Sequence, residues 1–256
     1  MRKIVTIMAS LFFTSLFISV DCRADSNGWE EVFFRSNQAY KEARYKDAAK
    51  GYGQLIRSGH ESGHLYYNLG NAWFRLGRIG KAILNYERAL SLIPRNADLN
   101  FNLRHARDRI MDDIPQSKGL FQATFFWLDS LSLKELFHVF FIINILFWGV
   151  LIVRQFTRSE PAYYLFLALL VLWVLAVASF GLKWYQTETD DRAVILAKEV
   201  NILAGPDTKD IVLFKLHDGT IVRHERSEDG WALIRLPDKK RGWLRETIIK
   251  RINGHR

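Results

Sequence analysis

The sequence predicts a multidomain membrane protein: an α-helical repeat solenoid, a transmembrane helical hairpin and a small all-β barrel, in that order. Three observations predict it. Two long apolar runs, Leu136–Val153 and Ala162–Leu182, contain no Asp, Glu, Lys or Arg. Residues 29–113, upstream, repeat their own pattern at the spacing of a helical pair. Residues 192–256, downstream, break into short alternating segments separated by turn residues.

At the start, Met1–Ala24 reads as a secretory signal. Arg2 and Lys3 precede the apolar run Ile4–Val20, and Cys22-Arg-Ala24 places small residues at the −3 and −1 positions. The rival reading, a lipoprotein with Cys22 acylated, wants small residues before the cysteine, where Val20-Asp21 stand. Cleavage after Ala24 removes the only cysteine, leaving no disulfide and no thiol chemistry. The net charge of +9 is spread as Lys and Arg among acidic residues, without a basic run or an aromatic-interleaved stripe. Nucleic acid is therefore not an expected partner, and an anionic membrane surface is the natural neighbour for the excess.

Within 25–113, Tyr66, Leu69, Gly70, Trp73, Ala82, Tyr86, Ala89 and Pro94 occupy the signature positions of a 34-residue frame starting at Gly63. Gly70, Ala82 and Ala89 let two antiparallel helices approach; Tyr66, Leu69, Trp73 and Tyr86 fill between them, and Pro94 stops the second helix. The pattern resembles the tetratricopeptide repeat. A weaker copy covers 29–62, with Ala48 and Tyr52 matching and Ser36 at the glycine, and 97–113 forms a single capping helix. The resemblance implies a concave partner-binding face from the first helices, presenting Phe33, Asn37 and Tyr40, then Tyr67, Asn71 and Phe74, then Phe101, His105 and Arg109. Asn37 and Asn68 fit the carboxylate clamp of some such repeats, but Phe33, Asp98 and Asn102 stand where its cations belong.

His60-Glu-Ser-Gly-His64 matches the H-E-x-x-H pattern of zinc proteases. That chemistry needs both histidines on one helical face. Here Gly59 and Gly63 make a helix through the match costly, and the frame puts it in the turn between repeats, so a zinc hydrolase is only a remote alternative.

Residues 114–135 link the repeats to the membrane; Leu120–Leu128 is read either as an interfacial helix or as packing beneath the repeats. The runs 136–153 and 162–182, of 18 and 21 residues, cover ~27 and ~32 Å as helices, a bilayer's hydrocarbon thickness. Only the charged turn 154–161 separates them. His138, Asn144 and Ser179 are their polar exceptions, and Tyr163, Tyr164, Trp184 and Tyr185 bracket the second crossing as interfacial aromatics do. With the amino end exported and two crossings, both soluble parts lie outside the cytoplasm. Residues 183–191 are expected to be a linker ending in a polar leash.

In 192–256 the strand candidates are 193–198, 201–203, 211–215, 220–224, 231–235 and 242–245, with turns at Gly205-Pro206, Asp218-Gly219, Asp229-Gly230 and 238–241. Asn201-Ile-Leu-Ala-Gly-Pro206, Asp229-Gly-Trp231 and Arg241-Gly-Trp243 make this segment similar to the bacterial SH3 domain, with Leu203 where that family usually has arginine. The resemblance implies an extracytoplasmic binding module, with cell-wall peptide or protein as ligand. Trp231 and Trp243 either line its groove or fill its core.

Signal, short repeat domain, hairpin and SH3 module in this order resemble the BatE-like proteins of bacterial aerotolerance operons. The resemblance implies a two-pass protein of the bacterial inner membrane acting in envelope stress tolerance. Its implied partners are von Willebrand A proteins and a MoxR-type AAA+ ATPase, with peptidoglycan as the alternative ligand. No thiol, nucleophile motif or phosphate-binding loop appears, and Asp112-Asp113 and Asp190-Asp191 fall in linkers. The expectation is a scaffold with no catalytic residues, cofactor or metal.

Overall fold

Polar caps and glycine turns cut the first part of the chain into five helices. In the computed structural model, which describes residues 26–112, 125–157 and 159–254, these are α1 (Ser26–Lys41), α2 (Tyr45–Arg57), α3 (Gly63–Arg75), α4 (Ile79–Leu92) and α5 (Ala97–Arg107). The signal Met1–Ala24 with Cys22, Asp113 and the linker as far as residue 124 lie outside the described residues. Ser62 caps α3 by accepting from Leu65 N at 3.1 Å, and Asn96 caps α5 through Leu99 N at 2.8 Å. Gly59 and Gly77 end α2 and α3 in the left-handed region, at φ of +87° and +69°.

The repeat signature has the packing meaning given above. Ala82 and Ala89 are fully buried, and a Cβ on Gly70 would lie 2.6 Å from the Tyr86 ring, so α3 and α4 can close only around glycine. In the first repeat Ser36 replaces that glycine, and the relief moves to the facing helix: a Cβ on Gly51 would meet Ser36 Oγ at 2.0 Å.

A short helix, α6 (Phe126–Ser130), precedes two long ones, α7 (Leu133–Phe156) and α8 (Glu160–Glu188). Both are long and apolar enough to cross a membrane, each holding an 18-residue stretch of mean hydropathy 2.5 and 2.7 respectively. They exceed the runs 136–153 and 162–182 at both ends because flanking polar residues continue the helix. The expected leash correspondingly starts later, since Gln186, Thr187 and Glu188 are helical. Large rings join α7 to α8: Phe147 stacks on Trp173 and Phe166 at 5.3 and 5.9 Å, and Phe140 stacks on Phe180 at 5.7 Å.

The carboxyl-terminal strands are β1 (Arg192–Ile195), β2 (Glu199–Leu203), β3 (Val212–His217), β4 (Ile221–Glu228), β5 (Trp231–Arg235), β6 (Arg241–Arg245) and β7 (Ile249–Arg251). They form one antiparallel sheet in the order β3-β2-β6-β5-β4-β1-β7. No ladder joins β3 to β7 among the described residues, so the expected barrel is described as an antiparallel SH3-like sheet. Alternation puts Ile202, Ala232, Ile234 and Leu244 in its core, and Leu203, Trp231, Leu233 and Trp243 in a second cluster on the opposite face.

The chain divides into two compact units, and the division does not follow sequence order. One is Leu133–Trp184; the other joins Asn27–Ser132 with Tyr185 onward. Repeats and sheet, expected as separate modules, therefore share a hydrophobic cluster in addition to the cores of their own. Val194, Ile221 and Ile252 of the sheet segment are buried with Ile83, Leu84, Leu103 and Ala106 of the repeats. Polar groups reinforce the joint. Glu87, 1% exposed, pairs with Arg107 and, at 3.1 Å, with Arg192 of β1, which also holds Asp190. Burial works against the Arg192 charge, but Asp190 and Glu87 outweigh it and hold its pKa above the usual arginine value. Arg88 donates to the carbonyls of Ile252 and Arg251 at 2.9 Å each.

Two acidic residues expected in linkers and turns belong to this joint. Asp112 accepts from His217 N at 2.7 Å, contacts the His217 ring and accepts from the Thr220 hydroxyl. Burial raises its pKa, but these partners prevail and hold it below the ordinary carboxylate value. Helix α4 has no side-chain cap of its own at Arg78. Asp218, from the β3–β4 turn, supplies one by accepting from the backbone N–H groups of Gly80 and Ile79.

Candidate functional site

The open face of the repeats is built by a hydrogen-bond pattern that recurs from one repeat to the next. Tyr52 OH donates to Asn37 Oδ1 at 2.7 Å, and Tyr86 OH donates to Asn71 Oδ1 at 2.7 Å. A second asparagine joins each pair: Asn68 Nδ2 reaches Asn37 Oδ1 at 3.5 Å, and Asn102 Nδ2 donates to Asn71 Oδ1 at 2.9 Å and to Tyr67 OH at 3.1 Å. Each tyrosine hydroxyl marks the amide oxygen as its acceptor, and both Asn37 and Asn71 line the groove. Between them lies a pocket of about 230 Å³ lined by Phe34, Asn37, Tyr40, Lys41, Tyr52 and Asn71.

Burial, with Tyr40 nearby, pushes the Tyr52 phenol from 10.0 up to about 12, and burial likewise raises Tyr86. A phenol kept neutral by the fold contributes stability that is intact below its unfolded pKa and lost as pH rises through the folded one. Thermal melts should therefore hold steady to pH 10.0 and fall toward about 12, and Tyr52→Phe should flatten part of that fall.

The remaining groove residues form a stacked cluster. Phe101, 63% exposed, lies parallel to His105 at 6.4 Å; His105 is 5.4 Å from Phe74, and the Arg109 guanidinium covers Phe74 at 4.6 Å. Of the residues expected on this face, Asn37, Tyr40 and Asn71 line the pocket, and Phe74, Phe101, His105 and Arg109 make the cluster. Tyr67 is held by Asn102. Phe33 turns instead toward the repeat core, 6.1 Å from the Tyr52 ring, and its neighbour Phe34, 70% exposed, takes the mouth of the pocket. Tyr52 and Lys41 were not anticipated there. The recurrence of Asn37/Asn71, Asn68/Asn102 and Tyr52/Tyr86 at one spacing was the available signal.

Trp231 and Trp243 pack in the cluster on the second face of the sheet. They are 5% and 6% exposed, with Arg245 over Trp231 at 4.1 Å and Arg226 over Trp243 at 5.2 Å. The zinc-like pentapeptide spans a loop and a helix start: His60 precedes the Ser62 cap and packs 5.5 Å from Trp29, while His64 lies in the first turn of α3.

A polar cleft of about 540 Å³ lies beside β4, lined by Asp190, Asp191, His224, Ser227, Arg251 and Asn253 among others. His224 Nε2 and Ser227 Oγ are 2.8 Å apart, a nucleophile–base spacing. However, Ser227 Oγ donates to Glu246 Oε1 at 2.8 Å, which directs its proton away from the histidine. Arg251 is 3.3 Å from the same imidazole nitrogen, and burial together with that charge pushes the His224 pKa down.

Among known proteins, the tetratricopeptide repeat family matches residues 65–96, and the bacterial SH3 domain family matches residues 197–250. No curated protein matches the chain as a sequence. The chain thus combines a tetratricopeptide repeat, two helices apolar enough to span a membrane and a bacterial SH3 domain, modules associated with protein or cell-wall binding.

Proposed function

We propose that this chain is a non-catalytic scaffold of the bacterial inner membrane, a BatE-like protein of an aerotolerance system, whose repeat groove grips an extended segment of an envelope protein. The observation that carries the reading is the pair of groove-lining asparagines, Asn37 and Asn71, each held through its oxygen by a buried tyrosine. Donors fixed at a repeat spacing beside exposed aromatics suit the carbonyls and apolar side chains of an extended chain. The family resemblance names von Willebrand A proteins and a MoxR-type ATPase assembly as the partners to look for. Peptidoglycan binding is the alternative, and it would have to use a surface other than Trp231 and Trp243, which their arginines cover.

The shared core supports the topology. Residues 79–112 and 192–252 can pack together only if both lie on one side of the membrane, which requires an even number of crossings between them. The predicted signal then sets that side as extracytoplasmic.

Asn37→Asp combined with Asn71→Asp tests the groove. The carboxylates keep the acceptors for Tyr52 and Tyr86 and lose the amide donors. Crosslinked partners recovered from solubilised membranes should fall at least ~30-fold, as expected for two anchors worth ~1 kcal/mol or more each. The amount of protein in the membrane should not change. Full retention of partners would move binding off the groove.

A further inference from the structure

The sheet face opposite the SH3 core carries an arrangement that groove binding does not use. Strand register sets Val212, Leu203, Trp243, Leu233 and Arg226 side by side from β3 to β4. Arg226 and Arg245 stand over the Trp243 and Trp231 rings, at 5.2 and 4.1 Å. A guanidinium held over an aromatic ring keeps its charge and its N–H donors, which an outside anion can use. Arg241 adds a third positive side chain, 60% exposed. Acidic compensation is thin: Glu225 is shared between Arg235 and Arg241, Glu228 sits 3.7 Å from Arg226, and Arg245 has no acidic partner among the described residues. At the β3 edge, Val212 on this face and its neighbours Ile211 and Leu213 are 47%, 75% and 50% exposed. Three consecutive exposed apolar residues where an edge strand begins are what soluble domains ordinarily avoid.

We propose that this face docks on the anionic phospholipid surface of the membrane. The arginine N–H donors take the lipid phosphates, and Ile211–Leu213 enter the interfacial layer between headgroups and acyl chains. Charge complementarity selects anionic headgroups, and the exposed apolar edge supplies the second of the two signals that stable surface binding needs. Only Thr189–Asp191 separate the end of α8 from β1, so the headgroups are within constant reach of the module. This last point rests on reading α8 as a membrane crossing.

The test uses the full chain in a Cys22→Ser background, placed in nanodiscs of phosphatidylcholine alone or mixed with phosphatidylglycerol. An environment-sensitive dye goes on Ile211→Cys or, separately, on Val171→Cys within the second apolar run, and doxyl-labelled lipids serve as quencher. The Val171 dye should be quenched in both lipid mixtures, and the Ile211 dye chiefly in the mixture with phosphatidylglycerol. At ~1 kcal/mol per basic residue near an anionic surface, Arg226→Gln with Arg245→Gln should lower the docked-to-free ratio ~30-fold. A quenched Val171 dye with an Ile211 dye unquenched in either lipid would overturn the docking and leave the crossing intact. An unquenched Val171 dye would overturn the crossing and the docking together. An Ile211 dye shielded by purified cell-wall sacculi and not by lipid would give this face to the wall.

Discussion

Glu87→Ala should destabilise the unit formed by repeats and sheet by ~3 kcal/mol or more, the cost of removing one partner from a buried ion pair. Glu87 is 1% exposed, and its two oxygens meet Arg107 from the repeats and Arg192 from β1. Removing it leaves two guanidinium groups facing each other with a buried Arg107 Nε that already lacks a partner. Both arginines are more than a third exposed, so water recovers part of the loss, which keeps the expectation at the lower end of the range for such pairs. Chemical unfolding of the solubilised chain gives the number. Hydrogen exchange should show protection falling together in 79–107 and 192–195, and a loss confined to the repeats would show that Glu87 does not join the modules.

The second large effect is expected at Gly80. In an isolated helix, glycine to alanine would be favourable by ~1 kcal/mol. Here the added Cβ would lie 2.1 Å from Asp218 Oδ1, 2.4 Å from Ile195 O and 3.0 Å from Gly219 N. Two of those three neighbours are backbone and cannot move aside without shifting β1 or the turn that caps α4. Overpacking of this kind costs ~1–3 kcal/mol, so Gly80→Ala should destabilise the unit despite its helix propensity. A melting temperature equal to or above that of the parent would mean that α4 does not press on the sheet as described.

These two residues also mark where sequence reading stops. The repeat frame was legible because Gly70, Ala82 and Tyr86 are chosen by a local packing geometry that recurs at a fixed spacing. The strands were legible from alternation and from turns such as Asp229-Gly230, and β7 escaped because Ile249–Arg251 is too short to alternate. The joint between modules left no such trace. Ile83, Val194 and Ile252 look like core residues of their own modules, and nothing periodic says that they meet. Asp112 and Asp218 resemble ordinary linker and turn acids, since their roles depend on groups more than a hundred residues away in the chain. On α1, Phe33 and Phe34 are adjacent aromatics about 100° apart around the helix; the repeat frame assigns Phe33 to the groove, and the structure puts Phe34 there.

One measurement bears most directly on the whole account, namely which side of the membrane each flank of the hairpin occupies. Single cysteines at Ser91, Thr157 and Lys250, all exposed in the fold, can be labelled in intact cells with a membrane-impermeant thiol reagent in a Cys22→Ser background. The account requires Ser91 and Lys250 to react alike from outside, and Thr157 to react only after the membrane is permeabilised. Labelling of Ser91 and Lys250 from opposite sides would contradict the shared core and the scaffold reading built on it.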